Sequence, residues 1–569
     1  MVFKKGDTTD PTNYRPITVS PVLSKVATKL INERLVKLIE KENLLNESQL
    51  GFRPKKSCTH GVYILSTVIG KMKRSKLKGV LTFVDLKAAY DSVDRNRLFE
   101  AMNKLGLGGK VQGIIGSLYH QDKIIFEVNG SNTEPLYLKQ GVRQGCNLSP
   151  TLFNILMREV ADKLQGREGG IALGGQPLVI LLYADDICLI SLNNEVAKDH
   201  FKELQKACLD IGLKVNLKKS EIVVKKGDYG IEVLKNLPLE IVAFYKYLGV
   251  QLAIERARYF SVYSASRALK AKAYCLSTIS LARNSPCPAL FAWRIWRLVA
   301  LPAILYGCEA VLIREKELEM IEKEQATVAK FILQVGPSTQ NVVAQVLADL
   351  EPVEVVYWRR VLKFYTTLHR QKENSWLYKA FKESEDIGTN YIGRVTEKLQ
   401  ELQIRTSEDI EEQLNWYSAS TTNKAIRSSA TTNKLLNCVS TDEPTRRSRL
   451  FGFGVSAKTY HEFMCMNAGL GNRTPLDGRV RTTHCPLCPN SAGSLNEIHV
   501  LMECPALEEK RDASGIRAFM NLDSRAGLSS LGLYREFWQE WRERETISQR
   551  IEAAREMRTE FLTKIGSVD

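Results

Sequence analysis

Two short apolar runs, each delivering aspartate at its end, constrain this chain more than any other feature. GVLTFVDL (79–86) is a β-branched and aromatic strand that ends at Asp85. LVILLYADDICLIS (178–191) has two apolar arms around an acidic turn, a hairpin with Asp185 and Asp186 at its tip. If the two strands are neighbours in one sheet, three carboxylates converge on one edge. Crowded carboxylates repel and stay ionised only when cations neutralise them, and oxygen-only ligands suit Mg²⁺. Two such ions can activate a 3′-hydroxyl and stabilise a departing pyrophosphate in an in-line displacement. Taken singly, Asp85 reads as a helix cap and the pair as turn residues. Two strands each ending in an acid favour the cluster.

The flanking segments alternate helix and strand. VLSKVATKLINERLVKLIEK places Leu23, Val26, Ala27, Leu30, Ile31, Leu35 and Leu38 at helical spacing. YDSVDRNRLFEAMNKLGL is helical, KIIFEVNG…EPLYLKQG reads as a hairpin, and SPTLFNILMREVADKL is a helix with Pro150 in its first turn. KELQKACLDIGLKVNLKKSEIVV gives a helix, a break at Gly212 and a strand; YKYLGVQL adds another. The alternation up to about residue 250 predicts an α+β domain. From there to about residue 370 the pattern is helical, and Leu290–Ile313, which carries Arg294, Arg297 and Glu309, reads as a buried helix pair rather than a membrane span. Residues 415–450 are rich in Ser, Thr and Asn and hold the near-duplicate SASTTNK and SSATTNK, a linker pattern.

Charge bears on partners. Lys plus Arg number 80 against 64 Asp plus Glu, a net +16 that favours polyanions, nucleic acid before anionic membrane. Twelve Cys among 569 residues are too few for a disulfide scaffold, and MVFKKGDTTDPTNYRP has no apolar signal core. The expectation is a soluble intracellular protein, in nucleus or cytoplasm, neither secreted nor membrane-spanning.

The ordered motifs are similar to those of reverse transcriptases from non-long-terminal-repeat retrotransposons (long interspersed elements). NYRPITVSPVLSKVATKLINERL resembles the first fingers motif, SQLGFRPKKSCTHGV the second, and FVDLKAAYDSVD the palm motif of the first catalytic Asp. QGVRQGCNLSPTLFNI resembles the template-gripping motif and YADD the catalytic hairpin. GLKVNLKKSEIV and YKYLGV resemble the following palm motifs, and LPAILYGCE a thumb segment. The resemblance implies a right-hand polymerase followed by a mostly helical C-terminal region: truncated fingers over 1–80, palm with interleaved fingers over 81–250, helical thumb over 251–345. A helical connector with the Ser/Thr/Asn-rich linker follows over 346–450, then a basic segment, zinc knuckle and helical tail over 451–569.

The resemblance also implies roles. Asp85 and Asp185 match the ligands of two Mg²⁺ ions, and Asp186 the supporting acid. Tyr90 falls under the incoming sugar, where Phe is commoner, although a core aromatic in a helix explains it equally. Arg53 matches the fingers residue that meets the triphosphate, a bidentate grip that guanidinium allows, with Lys55 or Lys56 assisting. Gln144 and Gly145 match the motif leaving backbone room beside the templating base pair. Lys219 matches the palm lysine that acts as general acid toward pyrophosphate; a surface lysine beside Lys218 is the alternative. The implied partners are an RNA template, a DNA primer or target, and deoxynucleoside triphosphates.

Cys485, Cys488, His499 and Cys504 form C-x2-C-x10-H-x4-C, a closed tetrahedral Zn²⁺ set and hence structural. Relatives of this kind often carry such a segment after the thumb. Arg446, Arg447 and Arg449 precede it as a phosphate-facing patch. An endonuclease, usual in the full element, is expected elsewhere; residues 505–569 contain no Pro-Asp pair of the restriction-like type. Two functions follow: an RNA-directed DNA polymerase, or a catalytically inactive or domesticated nucleic-acid-binding relic of such an element.

Overall fold

The computed structural model describes residues 2–417, apart from 4–6, 8, 11–12, 121–122, 129–130, 225–230, 253, 255–256, 284–287, 334, 338, 340, 389, 407–408, 411 and 416. The Cys485–Cys488–His499–Cys504 quartet, Arg446, Arg447, Arg449 and most of the Ser/Thr/Asn-rich stretch lie outside the described residues.

The described chain forms two compact units. The first, residues 1–261 with 307–312 and 361–398, is built on a five-stranded sheet. Its strands are β1 (Val80–Val84), β2 (Ile180–Tyr183), β3 (Asp186–Ser191), β4 (Glu221–Val224) and β5 (Glu240–Val242), in the order β2-β3-β1-β4-β5. All pairs are antiparallel except β4 with β5. Every residue of β1 is buried, which suits a central strand of Val, Leu, Thr and Phe.

Side-chain alternation divides the sheet into two faces. Val80, Val84, Ile180, Leu182, Ile187, Leu189, Ile222 and Val224 join a core with helices α3 (Ser149–Gln165) and α4 (Asn194–Asp210). Phe83 points the other way and stacks on Tyr245 at 4.1 Å between ring centroids. α4 starts where Asn193 accepts a hydrogen bond from the Val196 N–H, and α3 carries Pro150 in its first turn as its sequence predicts. The expected hairpin is present: Lys123–Ile124 pairs with Leu136–Tyr137, and Glu127–Val128 with Ser131–Asn132.

Helix α1 (Val22–Lys41) forms where its periodicity places it, but its apolar stripe is not wholly buried. Leu35 is packed in the core, whereas Leu23, Val26, Leu30 and Leu38 are exposed. Periodicity finds the helix and cannot say how much of its length meets a neighbour.

A late segment completes this unit. Helix α5 (Trp376–Asp386) lies on α2 (Cys58–Arg74): Lys71 pairs with Glu383 at 2.8 Å, and the Thr67 and Ser384 hydroxyls are 3.0 Å apart. Glu383 also accepts a hydrogen bond from the Gly174 N–H. Residues read from sequence as part of a connector thus serve the first core.

The second unit, residues 262–306, 313–360 and 399 onward, is helical among its described residues. Trp296 donates to the Gln325 side-chain oxygen at 2.9 Å and Gln325 donates to the Glu351 carbonyl, so both buried side chains find partners. Leu290–Ile313 is not the expected buried helix pair. Helix continues from Pro288 to Ile304 through a π turn at Trp296–Ala300, and Leu298 and Val299 are exposed. Pro302 has no N–H for the carbonyl of residue 298 and its ring crowds that carbonyl, so the helix widens just before it. Among the described residues no helix is long and apolar enough to cross a membrane.

Candidate active site

The sheet brings the three aspartates to one edge. β1 and β3 pair with Val84 opposite Ile187, so the next step outward sets Asp85 level with Asp186. β2 and β3 pair with Tyr183 opposite Asp186, which leaves Ala184 and Asp185 as the turn between them. Electrostatics record the crowding. Partial burial, then Asp185, then Asp85 raise the Asp186 carboxyl to about 6.

The segment after Gly212 fixes Asp85. The Asn216 amide donates to the Asp85 carboxylate at 2.9 Å, the Asn216 N–H donates to the Asp85 carbonyl at 2.8 Å, and the Asp85 N–H donates to the Ser220 hydroxyl at 3.2 Å. Lys219 Nζ stands 4.0 Å from the same carboxylate. The structure thus brings Lys219 to the acid cluster. Asn216 and Ser220 complete the arrangement; the NxxxS spacing beside Lys219 is the signal that sequence reasoning passed over.

Tyr90 lies beside this edge. It stacks on Phe153 at 4.9 Å and 12°, and burial followed by the Asp185 charge pushes its phenol well above the usual tyrosine range. It is at once a partly buried core aromatic and a neighbour of the acids. Gln144 donates its amide to both carboxylate oxygens of Asp91 at 3.1 Å. Gly145 adopts φ +108°, and a Cβ there would stand 2.8 Å from the Thr18 carbonyl. The neighbour that demands glycine at 145 is therefore the chain's own residue 18.

Arg53 is held by the protein's own acceptors. Its guanidinium is buried and its five N–H donors go to Glu40 (2.8 and 3.0 Å), Glu47 (3.3 Å) and the carbonyls of Asn46 (3.0 Å) and Gln49 (3.3 Å). In this conformation no N–H is left for a triphosphate. Lys56 is paired with Glu47 at 2.6 Å, while Lys55 is exposed. The motif's residue types allow a phosphate grip; in this conformation Glu40 and Glu47, both upstream of the motif, hold the arginine.

The donor set suits Mg²⁺ without forming a cage. Among the described residues no group of three or more His, Cys, Asp or Glu is arranged to hold one ion. Mg²⁺ is usually held by one or two carboxylates together with substrate phosphates and water, and repulsion that lifts Asp186 is relieved by a cation.

Residues 2–252 match the protein family described as "Reverse transcriptase (RNA-dependent DNA polymerase)". This stretch is a reverse transcriptase domain. Curated relatives agree. The chain is 25% identical over 354 residues to a Pol polyprotein from type-1 retrotransposable element R2 of Popillia japonica, covering 60% of this chain and 48% of that protein. It is 26% identical over 261 residues to the transposon TX1 149 kDa protein of Xenopus laevis, covering 45% and 20%. It is 22% identical over 328 residues to the RNA-directed DNA polymerase from mobile element jockey of Drosophila melanogaster, covering 56% and 35%. The chain therefore spans half or less of the length of these relatives. Apo telomerase from Candida tropicalis aligns over 63% of this chain and 61% of that one at 15% identity, with a TM-score of 0.34. The reverse transcriptase domain ends within the sheet-based unit, so the acid edge, Asn216 and Lys219 all fall inside it.

Proposed function

We propose that this chain is an RNA-directed DNA polymerase of a non-long-terminal-repeat retrotransposon, adding deoxynucleotides to a primer 3′-hydroxyl on an RNA template. The observation that carries the reading is the edge where Asp85 stands level with Asp186 beside the Asp185 turn, inside a reverse transcriptase domain. Asp85 and Asp185 would hold two Mg²⁺ ions, with Asp186 supporting, and the bound ions supply charge neutralisation at the attacking and leaving oxygens. Asn216 holds one Asp85 oxygen and so orients the other. Lys219, an ammonium beside Asp85, is placed to give a proton to departing pyrophosphate. Tyr90, stiffened by Phe153, offers a flat wall where a 2′-hydroxyl would intrude. In this reading residues 1–80 belong to fingers, 81–250 to palm and 251–345 to thumb.

Extension of an oligo(dT) primer on poly(rA) with Mg²⁺ and dTTP tests it. Template-dependent product is expected; none at any Mg²⁺ or Mn²⁺ concentration would leave the nucleic-acid-binding relic as the reading.

The C-terminal quartet Cys485, Cys488, His499 and Cys504 is proposed to hold one structural Zn²⁺. The support is its spacing alone, since three thiolates and an imidazole complete a tetrahedron. A site this short draws most of its folding free energy, about 10 kcal/mol, from the metal. One zinc per chain is expected in reduced protein by elemental analysis, lost in Cys488→Ser. Zinc-free wild-type protein would reduce the cluster to coincidence.

A further inference from the structure

We infer that Gln49, Gly51 and Asn154 form a latch that sets the position of the Ala184–Asp185 turn and therefore of the reacting carboxylates. The inference rests on the polymerase reading above and adds to it three positioning residues.

Residues 48–50 run along the free edge of the sheet. The Leu50 N–H donates to the Leu182 carbonyl at 2.7 Å and the Leu182 N–H to the Ser48 carbonyl at 2.9 Å, a parallel bridge that extends β2 toward the turn. From there Gln49, 2% exposed, aims its side-chain oxygen at two backbone N–H groups: Gly51 at 3.1 Å and Ala184 at 3.2 Å. One oxygen thus ties the loop to the turn residue that precedes Asp185. Gly51 closes the contact from the other side. A Cβ there would stand 2.4 Å from the Ala184 nitrogen and 2.8 Å from the Tyr183 carbonyl carbon, so the two backbones touch only because residue 51 is glycine. Asn154, on α3, donates to the Gly51 carbonyl at 2.7 Å and anchors the loop to the helical layer.

Stability alone does not explain this arrangement. The Gln49 amide nitrogen and the Asn154 amide oxygen are buried with no hydrogen-bond partner among the described residues, which disfavours the folded state. Ala184 is held at φ +58°, a left-handed conformation that a Cβ disfavours. Three unfavourable features, one on the turn and two in the segments that hold it, mark a place where geometry is imposed. A catalytic turn has reason to be imposed on. Reacting groups must sit within about 0.5 Å of their working positions, and a displacement near 1 Å reduces turnover about 100-fold. Nothing in the turn itself supplies that precision, because β2 and β3 end at Tyr183 and Asp186.

The test uses the full chain with Gln49→Met, Gln49→Glu and Gly51→Ala, read by hydrogen exchange and by steady-state dTTP addition. Gln49→Met removes the shared acceptor at similar volume. Exchange in peptides containing Ala184 should speed at least tenfold while β1 and β4 keep wild-type protection. In primer extension kcat should fall about 100-fold with KM for dTTP within threefold of wild type. Gln49→Glu retains an acceptor oxygen and should restore protection at Ala184. Gly51→Ala, which forces the backbones apart, should lower kcat at least as far. Wild-type exchange at Ala184 in Gln49→Met, or no recovery in Gln49→Glu, would overturn the latch. So would faster exchange throughout the sheet, since that assigns Gln49 to general stability. If wild-type protein extends no primer, the polymerase reading fails, and the exchange data alone still decide whether the latch holds the turn.

Discussion

Asp185→Ala should lower nucleotide addition by about 10³-fold or more, roughly 4 kcal/mol of lost transition-state stabilisation, without lowering the thermal midpoint. The two halves of this expectation come from one observation. Asp186 is lifted to about 6 by its partial burial and then by Asp185 and Asp85, so the three carboxylates strain one another in the protein alone. Removing the Asp185 charge relieves that repulsion and leaves the fold as stable or slightly more so. The same charge is what a cation requires at the reacting centre. A residue that served the fold would show the opposite pair of effects. Primer extension with thermal melts on the same preparation checks both, and near-normal extension by Asp185→Ala would defeat the two-metal assignment.

Arg53→Ala should unfold readily. The substitution leaves Glu40 and Glu47 without their guanidinium and leaves the Asn46 and Gln49 carbonyls short of a donor. Breaking a fully buried ion pair is worth 3–5 kcal/mol; both carboxylates here keep partial access to water and Glu47 retains Lys56, so about 3 kcal/mol is expected. At about 1.5–2 °C per kcal/mol for a unit of about 300 residues, the midpoint falls by roughly 5–6 °C. Arg53→Lys should recover little, because one ammonium cannot replace five forked donors. Calorimetry on the variants decides the matter. An unchanged midpoint with a raised KM for dTTP would return Arg53 to the triphosphate and show that Glu40 and Glu47 release it on substrate binding.

The two residues show why some of the site was legible before the structure and some was not. Asp85, Asp185 and Asp186 could be read because each is tied to a local pattern: a β-branched run stops, or two apolar arms meet, at an acid. Only the pairing of Val84 with Ile187 was needed to bring them together, and two such strands have few other ways to bury themselves. Arg53 could not be read in this way. Its partners lie 13 and 6 residues upstream, and no local pattern says which of a carboxylate or a phosphate reaches a guanidinium first. The same holds for α1. Its helical spacing announced a helix, but whether Leu23 and Leu30 meet a neighbour depends on layers built from residues more than a hundred positions away.

By itself the sequence determined the elements and their chemistry: alternating helices and strands to about residue 250, a helical region beyond, and aspartates at two strand ends. Those follow from side-chain periodicity and β-branching, which act over a few residues. Tertiary structure alone decided the rest. It seated Trp376–Asp386 on Cys58–Arg74, gave Arg53 to Glu40 and Glu47, set Lys219 beside Asp85, and pressed Gly51 against Ala184. Each of these is a contact between segments far apart in the chain or between competing partners, and packing density and hydrogen-bond satisfaction choose among them only once the whole core has closed.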